Sequence, residues 1–103
     1  MQIQTKFQDR ILYMHLKGEM DEHNAATLRR SADKIVEEYA ARCEKAVFDL
    51  RYVSFMDSTG IGFLIGRYKK FRSFGVPVYI MHVSESTDRI LAMSGVYTLM
   101  PRI

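Results

Sequence analysis

The residues best suited to chemistry sit together in one stretch, Phe48 to Lys70, which reads FDLRYVSFMDSTGIGFLIGRYKK. Asp57, Ser58, Thr59 and Gly60 open an apolar-periodic run there, so hydroxyls and a carboxylate meet the unpaired amides of a helix N-terminus. Catalytic readings of this cluster fail on spacing. A hydrolase nucleophile elbow, G-x-S-x-G, needs a glycine where Met56 stands. A dinucleotide fingerprint fails by one residue, because Gly60 and Gly62 are followed by Ile65 and only then by Gly66. No Gly-Lys-Ser/Thr triplet supplies a phosphate loop. Aspartic peptidases pair two carboxylates that share a proton, but Asp57-Ser58-Thr59-Gly60 carries one residue more than an Asp-Thr-Gly triplet and enters a helix. His15, His23, His82 and Cys43 show no metal-ligand spacing. No catalytic residue and no metal site are expected.

Two uses of Ser58 stay open on the residues alone. Asp, Ser or Thr at a helix start caps orphan amides, which is worth about 1 kcal/mol. Three polar residues and a glycine exceed what a cap needs, and a phosphate on Ser58 would meet the helix amides at the positive end of the dipole. Gly62 and Gly66, one turn apart, either permit close packing within the chain or leave a bare face for a partner's backbone. Arg67, Lys69, Lys70 and Arg72 read as the solvated face of the same helix.

The elements that position this segment follow from periodicity. Ile3, Thr5 and Phe7, then Leu12, Met14 and Leu16, alternate as half-buried strands do, and only Gln8, Asp9 and Arg10 separate them, which predicts a hairpin. Asp21 and Asn24 are both suited to cap a following helix whose apolar stripe is Leu28, Ala32, Ile35, Val36 and Tyr39. Ala46 to Leu50 reads as a buried strand. Ile61, Leu64, Ile65, Tyr68 and Phe71 share a helical face that Gly75 and Pro77 end. Pro77 to Val83 reads as a further strand, Ser84 caps a third helix ending at Gly95, and Val96 to Met100 suits one more short strand. Strand–helix–strand units make right-handed parallel crossovers. The expected fold is α/β, a mixed sheet with an N-terminal antiparallel hairpin and then parallel strands, covered by helices.

Composition bounds the rest. The 103 residues amount to one domain, 48% apolar and 26% charged, able to fold without staples. A single cysteine fits a reducing, cytoplasmic setting, and no leader or membrane-length apolar run is visible. The net charge of +3 is modest and mostly scattered, which argues against direct nucleic-acid binding.

Three blocks carry a family likeness: Leu16-Lys17-Gly18-Glu19-Met20-Asp21, then Ser54 to Gly62 followed by Gly66-Arg67-Tyr68-Lys69, and Met93-Ser94-Gly95. Together they resemble STAS domains, and among them the bacterial anti-sigma factor antagonists of the sporulation sigma-F pathway, over nearly the whole chain as one domain, residues 1–103. The resemblance implies a transcription regulator that works by partner switching and is not an enzyme. The unphosphorylated form would bind an anti-sigma factor that is also a serine kinase, and so release the sigma factor. The kinase would spend ATP to phosphorylate Ser58, and a PP2C-type phosphatase would reverse it. This chain would hold no cofactor itself. Glu19, Asp21, Asp57, Ser58, Thr59, Gly60, Gly62 and Arg67 would line the partner surface, with Asp21 equally readable as a plain cap. The helix amides would hold the phosphate with little backbone change. Thr59, where relatives often carry a second serine, is a second candidate phosphoacceptor. The chain ends at Ile103, where relatives usually continue into another helix; exposed apolar residues there would promote dimers, and the expected state is a monomer or a weak homodimer. A STAS domain of a stress-response switch is the related alternative, and a small nucleotide- or nucleic-acid-binding module the unrelated one.

Overall fold

A computed structural model describes every residue from Met1 to Ile103. The chain begins with β1 (Gln2–Gln8) and β2 (Ile11–Lys17), paired antiparallel from Gln8↔Ile11 to Gln2↔Lys17. Asp9 and Arg10 form the two-residue turn with φ of 54° and 64°. A left-handed pair at that point matches the twist of the strands it joins. β3 (Lys45–Tyr52) then adds parallel to β2, and β4 (Val78–Met81) parallel to β3, giving the order β1-β2-β3-β4. The mixed sheet expected from the sequence is the one observed.

The connections are α1 (Ala25–Tyr39), which runs into a short 3-10 turn at Ala40–Arg42, and α2 (Ser58–Ser73). After β4 come α3 (Glu85–Ser94) and α4 (Val96–Leu99). Leu12, Met14 and Leu16 of β2 meet Ala46, Phe48 and Leu50 of β3 on one sheet face, where Val36, Phe63, Leu64, Phe71 and Leu91 of the helices close over them. Buried residues from all four helices join this single cluster, and the other sheet face contributes nothing to it. No helix is long and apolar enough to cross a membrane.

The tail corrects the sequence reading. Val96–Leu99 is helical, not a strand, because Val96 and Met100 are buried at a spacing of four and Met100 N–H donates to the Val96 carbonyl. Gly95, at φ 81°, turns the chain between α3 and α4. Beyond α4 the chain pairs with the sheet through one parallel bridge between Ile80 and Arg102.

Candidate functional site

The start of α2 is built around Asp57. Its backbone is extended, and its carboxylate accepts from the Thr59 amide at 2.9 Å and the Gly60 amide at 3.4 Å. Ser58 is the first helical residue and is exposed, while Thr59 is half-buried. The amides expected to hold a phosphate are engaged in the unmodified chain, where a neighbouring carboxylate accepts from two of them. A phosphate on Ser58 would feel the helix dipole but would also face the Asp57 charge, and it would project into solvent.

The glycines separate into two kinds. A Cβ on Gly60 would come 2.9 Å from Met56 Cγ, so Gly60 allows the loop to pack on the helix. A Cβ on Gly62 or Gly66 would meet nothing within 4 Å. Packing within the chain does not explain those two, and they leave backbone open to an approaching surface.

The 18–24 turn lies alongside. Lys17 pairs with Tyr52 in the sheet, and the Gly18 amide donates to the Tyr52 carbonyl at 3.0 Å, so the chain leaves β2 and β3 at the same end. Asp21 Oδ1 accepts from the amides of His23 and Asn24, both at 2.9 Å. Asn24 occupies the cap position of α1 but does not cap it with its side chain, which instead accepts from the Asp21 amide and donates to the Glu19 carbonyl. Asp21 thus orders the turn that presents the exposed Glu19. Tyr52 (61% exposed) and Phe55 (53%) are exposed aromatics in the stretch before Ser58, which sequence reading passed over because each falls where strand and loop patterns end.

Arg67 does not belong to this surface. It is 7% exposed, with Nε 2.9 Å from Asp33 Oδ1 of α1 and the guanidinium 5.1 Å above the Phe63 ring. The ion pair lacks hydrogen-bond alignment, and Arg67 Nη1 has no partner. Burial lowers the Arg67 pKa and Asp33 opposes that. The basic face expected on α2 is broken again at Lys70, which pairs with Glu37 of α1 at 2.6 Å. Both residues join α1 to α2, which leaves Lys69 and Arg72 as the exposed cations of that set.

A polar cluster on the opposite sheet face was not anticipated. Asp49, 6% exposed, lies 2.7 Å from His15 Nδ1 and 3.2 Å from His82 Nδ1, and it accepts from the Arg51 amide at 3.0 Å. Burial alone would raise its pKa, but the hydrogen bonds from Arg51, His15 and His82 outweigh burial and hold it below the usual carboxylate range. His82 adopts φ 59°, left-handed for a residue with a Cβ. The sequence signal for this cluster was an aspartate inside the apolar run Ala46 to Leu50.

Comparison with known proteins adds to this geometry. The STAS domain family model matches residues 2–103. The anti-sigma F factor antagonist of Paenibacillus polymyxa is 33% identical over 101 residues, covering 98% of this chain and 85% of that protein. Among solved structures, the anti-sigma factor antagonist SpoIIAA in its unphosphorylated form superposes with a TM-score of 0.79 at 20% identity, over 99% of this chain and 88% of that one. The Bacillus cell fate determinant SpoIIAA in the phosphorylated form gives 0.71 at 19% identity, over 99% and 91%.

Proposed function

This chain belongs to the STAS domain family, and from that membership we propose that it is an anti-sigma factor antagonist switched by phosphorylation of Ser58. In its unphosphorylated form it binds an anti-sigma factor that is also a serine kinase, and the sigma factor is released. The kinase transfers the γ-phosphoryl group of ATP to Ser58 Oγ, the hydroxyl proton leaves to a base of the kinase, and ADP departs. A PP2C-type phosphatase hydrolyses the phosphoserine back. Ser58 is a substrate in this scheme, and the chain supplies no catalytic group.

The observation that carries this reading is the free hydroxyl at the start of α2. Ser58 is exposed and has no capping duty, because Asp57 performs it. Thr59, the second candidate, is half-buried and so is the poorer acceptor. Gly62 and Gly66 leave the adjoining helix surface bare for partner backbone, and Glu19 and Asp21 add negative charge at the same end of the sheet. Phosphorylation adds about −1.5 to −2 charges. Next to Asp57, with two local amides already engaged, that charge is directed to solvent. It acts outward, through repulsion and desolvation at the interface. Little movement of this domain is required.

Titration calorimetry of the cognate anti-sigma factor against this chain, before and after treatment with the kinase and ATP, tests the reading. Phosphorylation is expected to weaken binding at least tenfold, and Ser58→Ala is expected to bind and to resist the treatment. Equal affinity of the two forms would overturn it.

A further inference from the structure

Parallel strands are ordinarily covered on both faces. Here β2, β3 and β4 pair in parallel, yet all four helices pack against one face. The other face carries polar and aromatic side chains in the rows that strand register sets. Strand register sets Lys6, Tyr13, Val47 and Tyr79 in one row across all four strands. Val47 is 2% exposed between the two half-buried tyrosines, so the row forms a continuous platform. The next row places His15 beside Asp49, and the rings of Tyr13 and His15 lie parallel within 9° with centroids 6.1 Å apart. Lys45 Nζ stands 5.6 Å from the Tyr79 ring centroid.

The charge of this face differs from that of the remaining surface. It bears Lys6, Lys17, Lys45 and Arg51 against the single acid Asp49, which leaves eleven basic and eleven acidic residues elsewhere out of the 15 and 12 in the chain. The whole net charge of +3 is therefore local to the open sheet face. Asp49 itself is buried and hydrogen-bonded by His15, His82 and the Arg51 amide, so it offers little to repel an anion.

We propose that the open sheet face binds single-stranded nucleic acid, with bases on Tyr13 and Tyr79 and phosphates on Lys6, Lys17, Lys45 and Arg51. Aromatic rings set in a basic sheet are the elements by which proteins hold single strands, because every base has a face to stack and every nucleotide a phosphate to neutralise. A duplex keeps its bases stacked inside and cannot use the tyrosines. A second copy of this chain would bring two positive faces together. A membrane surface would call for protruding apolar side chains, and the rings here are half-buried among their neighbours. This inference runs against the expectation from overall charge that nucleic acid is not a partner, and it stands apart from the switch at Ser58.

Fluorescence anisotropy of labelled 12-nucleotide single strands, RNA and DNA in parallel arms, tests the proposal on the full chain. Saturable binding is expected at 50 mM salt, with a log–log salt slope of about −3 for four phosphates. Tyr13→Leu and Tyr79→Leu, made separately so that one misfolded variant leaves the other to decide, are each expected to weaken binding on the order of tenfold at unchanged slope. Lys45→Gln and Arg51→Gln are each expected to reduce the slope by about 0.7. The proposal fails if neither strand binds, if a duplex of equal length binds as tightly, if the tyrosine variants bind like the parent, or if anionic phosphatidylglycerol vesicles bind and strands do not.

Discussion

Two helices of this protein open on a serine after a parallel strand, and the two hydroxyls have opposite uses. At α3, Ser84 is the cap residue itself, and its Oγ accepts from the Thr87 amide at 3.3 Å. At α2 the serine falls one position later. Asp57 caps, Ser58 is the first helical residue, and its hydroxyl faces solvent. A shift of a single residue along the helix start separates a structural hydroxyl from one that another protein can modify. The surroundings sharpen the contrast, since Asp88 in the first turn of α3 receives the Tyr97 hydroxyl at 2.5 Å and Arg102 at 2.8 Å, whereas Gly62 and Gly66 leave the surface of α2 bare.

The largest effect expected from this contrast is on phosphate incorporation. With the cognate kinase and ATP, Ser58→Ala is expected to lose modification altogether, while Ser84→Ala keeps the parent's level; phosphopeptide mass spectrometry reads both. Phosphate on Ser84 in the parent protein would erase the distinction. The next effect lies along α2. Gly60→Ala forces a methyl against Met56 Cγ at 2.9 Å, and overpacking of that kind costs about 1–3 kcal/mol. Gly62→Ala has open space and is expected to add about 0.5–1 kcal/mol of stability through helix propensity, while weakening the anti-sigma factor complex. Urea midpoints for the free chains, with calorimetry for the complex, separate a packing glycine from one reserved for a partner.

How much of this was legible in the sequence depends on the range of the interaction. The hairpin, the strand alternation of Leu12, Met14 and Leu16, and the stripe from Leu28 to Val36 are local periodicities, and each formed as read. The tail was ambiguous because five residues support a two-residue or a four-residue period equally well, and only burial of Val96 and Met100 together decides it. Arg67 looked exposed beside Lys69 and Lys70; its burial depends on Asp33 of another helix, and no local pattern reports that. The same holds for His15 and Asp49, neighbours through the parallel register of β2 and β3, and for His82, which reaches Asp49 from the bend just after β4. At Ser58 the residue types were legible but the division of labour was not, since either Asp57 or Ser58 was able to take the cap.

Moving that division of labour is a smaller and more direct test. Asp57→Ala removes the carboxylate from the Thr59 and Gly60 amides and is expected to cost about 1 kcal/mol, or roughly 4–8 °C in Tm for a chain of this size. It also frees two amides for a phosphate on Ser58. Phosphorylation is then expected to raise the Tm of Asp57→Ala by several degrees and to leave the parent's Tm nearly unchanged. Equal shifts in the two proteins would mean that the phosphate reaches the amides despite Asp57, and that the outward-acting charge is not the basis of the switch.

The smallest expected effect concerns the anchored start of α3 and is read from its pH dependence. Burial, followed by the hydrogen bond to Asp88, raises the Tyr97 pKa to about 12. A phenol with a folded-state pKa above its unfolded value, near 10, stabilises the fold fully below pH 10. That contribution is lost as pH rises from about 10 through 12. Tyr97→Phe is expected to lower stability at neutral pH by about 1 kcal/mol and to remove this alkaline loss, so the difference between parent and variant narrows as pH climbs through that window. Urea denaturation of both proteins at pH 7, 9 and 11 measures it. A gap that stays constant to pH 11 would show that Tyr97 contributes by packing alone, and that α3 is held at its start by the Ser84 cap and the Arg102 pair, without the phenol.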